Sequence, residues 1–122
     1  MSKLPDILRD YLLAQGHTDI FIEHAPDGEN ILVRGVWQRP YTKDGLENYI
    51  HEIVEIQAER GNVADLLALK NSIIDDLIGL SVLDQVTKCT LNREETVKKN
   101  GGKSRIWLGW FEFWGQIVPE EE

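Results

Sequence analysis

Three histidines, His17, His24 and His51, one cysteine, Cys89, and the adjacent carboxylate pairs Asp75-Asp76 and Glu94-Glu95 have the side-chain types that acid–base, nucleophilic or metal chemistry uses. Their spacing does not favour any of those reactions. The histidines fall on different elements and never repeat at the short interval of a zinc site, so they read as solvated or hydrogen-bonded side chains. Cys89 has no histidine near it in sequence and reads as a core or strand-face thiol. Adjacent residues on a helix or strand diverge, so the carboxylate pairs read as solvated faces rather than an acid and a base converging on one substrate. "NGGKS", residues 100–104, resembles part of a phosphate loop. It lacks the earlier glycine of G-x-x-x-x-G-K-[ST] and precedes a strand rather than a helix, so it reads as a hairpin turn. The expectation is a protein that is not an enzyme, with no catalytic, cofactor-binding or metal-binding residue.

What remains is chemistry of contact. Trp107, Trp110, Phe111, Phe113 and Trp114 crowd one short segment, and Lys98, Lys99, Lys103 and Arg105 lie just before it. Aromatics beside cations are one way of stacking single-stranded nucleic acid. Here Glu112 sits within the aromatic run and the cations gather at the turn, so packing in a core or against another subunit is the better reading. These nine residues are the candidate subunit or partner interface.

The totals bound the rest. The chain has 122 residues, 42% of them hydrophobic and 28% charged, which suits one soluble globular domain with a single modest core. One cysteine excludes an internal disulfide and fits a reducing compartment such as a cytoplasm. No apolar run approaches a membrane span, and "MSKLPDILRD" is not an export signal. The net charge is −8. Residues 86–105 hold six basic side chains (Lys88, Arg93, Lys98, Lys99, Lys103, Arg105) against Glu94 and Glu95, a balance of +4 that leaves −12 elsewhere. A bulk surface so acidic does not favour phosphate backbones, whereas one basic protrusion suggests a partner of its own.

Those residues must be positioned by elements that the pattern makes legible. Leu4, Ile7, Leu8, Tyr11 and Leu12 form one helical stripe, with Ser2 as cap and Gly16 as stop. "DIFIEH" and "NILVRGVW" read as two strands of an antiparallel hairpin around "APDGEN", and "QRPYTKDG" as a polar loop in which Pro40 blocks the ladder. From Asn48 one parity holds Ile50, Val54, Ile56 and Ala58, and the other Tyr49, His51, Glu55, Gln57 and Glu59. Glu52 and Ile53 break this alternation, which suggests that the start of the strand lies at an edge. Asn62 then caps a helix whose apolar face is Val63, Leu66, Leu67, Ile73, Ile74, Leu77 and Ile78, interrupted by Lys70 and stopped by Gly79. The last third reads as a long hairpin. In its second arm Ile106, Leu108, Trp110 and Trp114 share one face while Trp107, Phe111, Phe113 and Ile117 share the other. A strand apolar on both faces is either covered on both sides or exposed until a subunit covers it.

The fold class expected is α+β: a mostly antiparallel sheet of four to five strands packed on one long helix, with an N-terminal helix and a long C-terminal β-hairpin. Residues 1–118 form the domain and 119–122 an acidic disordered tail.

The order of these elements, with "LPDILRDYLLAQGHTDIFIEHAPD", "IVEIQAERGNVADLLALKNSIIDDLIGL" and the closing "SRIWLGWFEFW", resembles the bacteriophage tail terminator and minor capsid proteins of the head–tail neck. The resemblance covers most of the chain through hydrophobic patterns; the loop after Trp37 and the Trp-rich last strand depart from it. It implies a structural virion protein of the tail or neck, forming a homo-oligomeric ring, commonly a hexamer. Such a ring caps the tail tube protein and joins it to the head connector or completion protein. Genomic DNA would pass through an acidic lumen without specific binding, and the basic hairpin around Lys98 to Arg105 would dock on an acidic ring of tube or connector. A second class stays open, a small acidic DNA mimic that inhibits a host nucleic-acid enzyme by occupying its basic site. A mimic is a monomer or dimer, whereas a terminator closes a ring.

Overall fold

The computed structural model describes residues 4–43, 46–78 and 86–115. Helix α1 (Leu4–Ala14) leads into a short strand β1 (Ile20–Ile22) and two long strands, β2 (Ile31–Lys43) and β3 (Leu46–Arg60). Helix α2 (Val63–Ile78) follows, then β4 (Val86–Lys99), a 3-10 turn (Asn100–Gly102) and β5 (Ser104–Gly115). The five strands form one sheet in the order β1-β2-β3-β5-β4, antiparallel except for β1 with β2. The α+β class is as the sequence implies.

Local chemistry sets the helix ends. Gly16, at φ 98, ends α1 in a Schellman arrangement in which the His17 amide donates to the Leu12 carbonyl and the Gly16 amide to that of Leu13. The Asn62 side chain accepts from the Asp65 amide and caps α2.

Both helices lie on the same face of the sheet. Leu4, Leu8 and Leu12 of α1 and Leu66, Ile73 and Leu77 of α2 are buried together with Ile31, Val33, Val54, Ile56, Ala58, Trp107, Phe111 and Phe113. This single cluster is the core, and it selects the inward face of the aromatic strand. Apolar burial on this scale, not hydrogen-bond pairing, is what fastens helices to a sheet.

Four local expectations are corrected. First, β1 and β2 are parallel, with Ile20 opposite Ile31, and do not form a hairpin. The strand is so short that residues 23–30, turning through Glu23 (φ 66) and Gly28 (φ 128), can bring the chain back to its start. Second, β2 runs through Pro40, which pairs with Ile50. Beyond Val33 no strand pairs its other side among the described residues, and a proline is accommodated on such an edge.

Third, the start of β3 is interior to the sheet. It is paired on both sides from Ile50 onward, and Glu52, 3% exposed, lies on the core face opposite Phe113. Fourth, Val63, Leu67 and Ile78 are outside the core, with Leu67 50% exposed, while Lys70 turns inward and pairs with Glu94 at 2.8 Å. The helix therefore buries a narrower stripe than its apolar content suggests. Ser2, Gly79, Ile117 and the tail 119–122 lie outside the described residues.

Candidate assembly surfaces

The aromatic strand has two faces with different fates. Trp107, Phe111 and Phe113 are fully buried under the helices, while Ile106, Leu108, Trp110 and Trp114 alternate with them and are half-buried on the opposite face. In the core, the Trp107 ring folds back over Gly109, where an added Cβ would lie 2.6 Å from it. The Trp107 indole N–H donates to Glu94 Oε1 at 3.2 Å. That carboxylate reaches the inner face because Asn92 bulges out of β4, so that Leu91 pairs with Phe111 and Arg93 with Trp110. The Lys70 ammonium, by hydrogen bonding, holds the Glu94 carboxyl below its ordinary value of 4.5. Glu94 thus belongs to a helix–sheet link and not to a solvated pair with Glu95, just as Asp76 accepts from His17 at 2.7 Å. Cys89 packs against the core, and burial pushes its thiol up to about 12, far from a reactive thiolate.

Among the described residues no helix covers the other sheet face. Arg39, His51, Trp114 and Lys88 face one another across β2, β3, β5 and β4, and Trp37, Ile53, Glu112 and Thr90 form the next row. His51 stacks on Trp114 with ring centroids 4.6 Å apart, and Trp37 meets the edge of His51 at 5.0 Å. Arg39 lies over Trp37, Lys88 over Trp114 and Arg93 over Trp110, all at about 5 Å. His51 also bonds Glu112 at 2.9 Å. The Trp114 ring is therefore flanked by an imidazole from β3 and an ammonium from β4, an arrangement that suits a flat protein contact better than base stacking. This ribbon with Leu108 and Ile53 makes one apolar, cation-edged surface, on which Trp37 is 43% exposed. Sequence reading missed Trp37 and His51 as members. They come from distant elements, and only the strand register aligns them.

The basic residues of the hairpin do not act as one group. The Asn100–Gly102 turn is formed as expected, with Gly101 and Gly102 at positive φ. Lys99 is engaged, donating to Glu59 at 3.0 Å, an interaction that raises its pKa, and lying 3.9 Å from Asp27. Lys98 stands directly opposite Arg105, which stands opposite Arg60, so three cations cross three strands in one row. Lys103 is exposed at the turn. Like charges directly opposed on a sheet repel, so this row is not a source of stability.

Among the described residues no group of three or more His, Cys, Asp or Glu side chains is arranged to hold a metal, and no helix is long and apolar enough to cross a membrane. A shallow cleft of about 120 Å³ is lined by residues that include Asp27, Asn30, Gln57, Glu59 and Lys99, with the Lys99 ion pairs in its wall.

No family model matches the chain, and no curated protein matches it. Among solved structures, the fold is similar to a chain in the virion of a native gene transfer agent (GTA) particle. The TM-score is 0.60 at 11% sequence identity, over 91% of this chain and 92% of that one. At that identity the likeness is one of fold.

Proposed function

We propose that this chain is a structural protein of a phage-like virion, acting in the tail or neck as a tail terminator whose ring caps the tail tube and joins it to the head connector. The observation that carries this reading is the end-to-end likeness in fold to a chain of a GTA virion. It is supported by an apolar sheet face and a row of cations that the single chain leaves uncovered. A component of a particle needs such faces, and a free monomer gains nothing from them.

In this reading the docking end is the row Arg60, Arg105 and Lys98 with Lys103 beside it, presented to an acidic ring of tube or connector protein. Lys99 is not part of it, because Glu59 and Asp27 already hold its ammonium. The test is co-expression with the tail tube protein of the same genome, with electron microscopy of the tubes. The expected result is a ring at one tube end and tubes of uniform length. Lys98→Glu with Lys103→Glu should leave the fold intact and remove the ring from the tube end. Tubes that never carry this protein would refute the terminator role.

A further inference from the structure

The molecule has a second uncovered apolar surface, on the side opposite the open sheet face. Along the outer side of α2, Val63, Ala64, Leu67, Ala68 and Ile78 are all exposed. Of the four charged residues in this helix, Lys70 and Asp76 are drawn inward to Glu94 and His17, which leaves only Asp65 and Asp75 outside. Asn71 and Ser72 are exposed there too, so the outer side is mixed, but Val63, Leu67 and Ile78 form an apolar stripe along it that no other described residue buries, in contrast to Leu66, Ile73 and Leu77.

We infer that copies of this chain associate head to tail, the outer ridge of α2 in one copy seating on the open sheet face of the next. Three observations choose a second copy as the occupant. The two surfaces differ in shape, a narrow ridge with alanines beside Leu67 against a flat sheet bearing Trp37, Trp110 and Trp114. They are also complementary in charge. The sheet face carries Arg39, Lys88 and Arg93, exposed cations held over indole rings, with the carboxylate of Glu95 opposite Leu108, and the exposed charges of α2 are the carboxylates of Asp65 and Asp75. Finally, they lie on opposite sides of the same sheet, since the other side of α2 already packs on its inner face. Two unlike faces on opposite sides give a heterologous contact, which propagates from copy to copy and makes a ring where its rotation closes. The inference rests on the ring reading above and adds which surfaces meet.

A mixing experiment tests it by light scattering and analytical ultracentrifugation of the full chain. Leu67→Glu breaks the ridge, and Trp110→Glu breaks the sheet face. Ala68→Arg and Leu108→Arg serve as second variants at each, and circular dichroism with thermal melts checks folding. The expected result is a closed oligomer for the wild type and a monomer for each variant alone. An equimolar mixture of one ridge variant and one sheet variant should give a heterodimer, because one intact ridge and one intact sheet face remain. A ridge variant that still forms the wild-type oligomer would overturn the inference while leaving the ring reading intact. A mixture that stays monomeric would do the same. A wild type that is monomeric up to roughly millimolar concentration, where even weak contacts are populated, would sink both.

Discussion

At the scale of single residues, the Trp107–Gly109–Glu94–Lys70 contact joins the aromatic strand to the helix layer. Gly109 is required by close approach, since a methyl group there would meet the Trp107 ring at 2.6 Å. Gly109→Ala should therefore lower stability by about 1–3 kcal/mol, the usual effect of overpacking, as read by urea melts. Glu94 carries a pH dependence. Its folded pKa is depressed by Lys70, so the folded state binds that proton less tightly than the unfolded chain. The contribution is present above the ordinary carboxyl value and is lost as pH falls through the lower folded one. Glu94 is 39% exposed, so the pair is worth no more than about 1 kcal/mol. Glu94→Gln should cost up to that amount near neutral pH, and the difference from wild type should shrink as pH falls below the ordinary carboxyl range. A difference that persisted undiminished in acid would show that the Lys70 charge pair is not its source.

At the scale of elements, β4 shows how a bulge decides which residues face the core. Asn92 stands outside the ladder, with Leu91 opposite Phe111 and Arg93 opposite Trp110. Deleting Asn92 would leave the alternation of its neighbours unchanged, so the variant should fold with a modest loss of stability. Deleting Thr90 would drive the polar Asn92 into the ladder and turn Leu91 outward, and should cost several-fold more, on the order of a lost buried leucine or ~2–5 kcal/mol. Equal losses for the two deletions would show that the bulge is not what sets the facing. The caps of α1 and α2 were legible beforehand because they depend on Gly16 and Asn62 and their nearest amides alone. The parallel pairing of β1 with β2 was not legible, because it depends on the path of residues 23–30 and not on the alternation of either strand.

At the scale of the whole molecule, association through the two surfaces, as inferred above, would make stability depend on concentration. A species that exists only folded and associated draws the unfolding equilibrium toward itself. Melting of the wild type should therefore move upward as protein concentration rises, while Leu67→Glu should melt at the same temperature at every concentration. A wild-type transition independent of concentration would contradict self-association through these faces. The cation row Arg60, Arg105 and Lys98 belongs to the same scale. Its like charges are opposed within one chain and add no stability there.

The sequence by itself determined the two main helices, the caps, the Asn100–Gly102 turn and the two faces of the aromatic strand, because each follows from local periodicity or from one residue acting on its neighbours. It also bounded the chemistry, since spacing alone argued against a converging acid–base pair. Only the tertiary structure decided that Trp107, Phe111 and Phe113 are the inward set. Both faces of that strand are equally apolar, and the choice is made by which side receives α1 and α2. The same holds for α2, whose apolar residues exceed what one contact can bury, so that packing against the sheet assigns Leu66, Ile73 and Leu77 to the core and leaves Leu67 in solvent. Glu52 and Glu94 were misread for a related reason. The strand register places Glu52 on the core face opposite Phe113, and the bulge turns the partly exposed Glu94 toward Lys70 of α2, neither of which local pattern reveals.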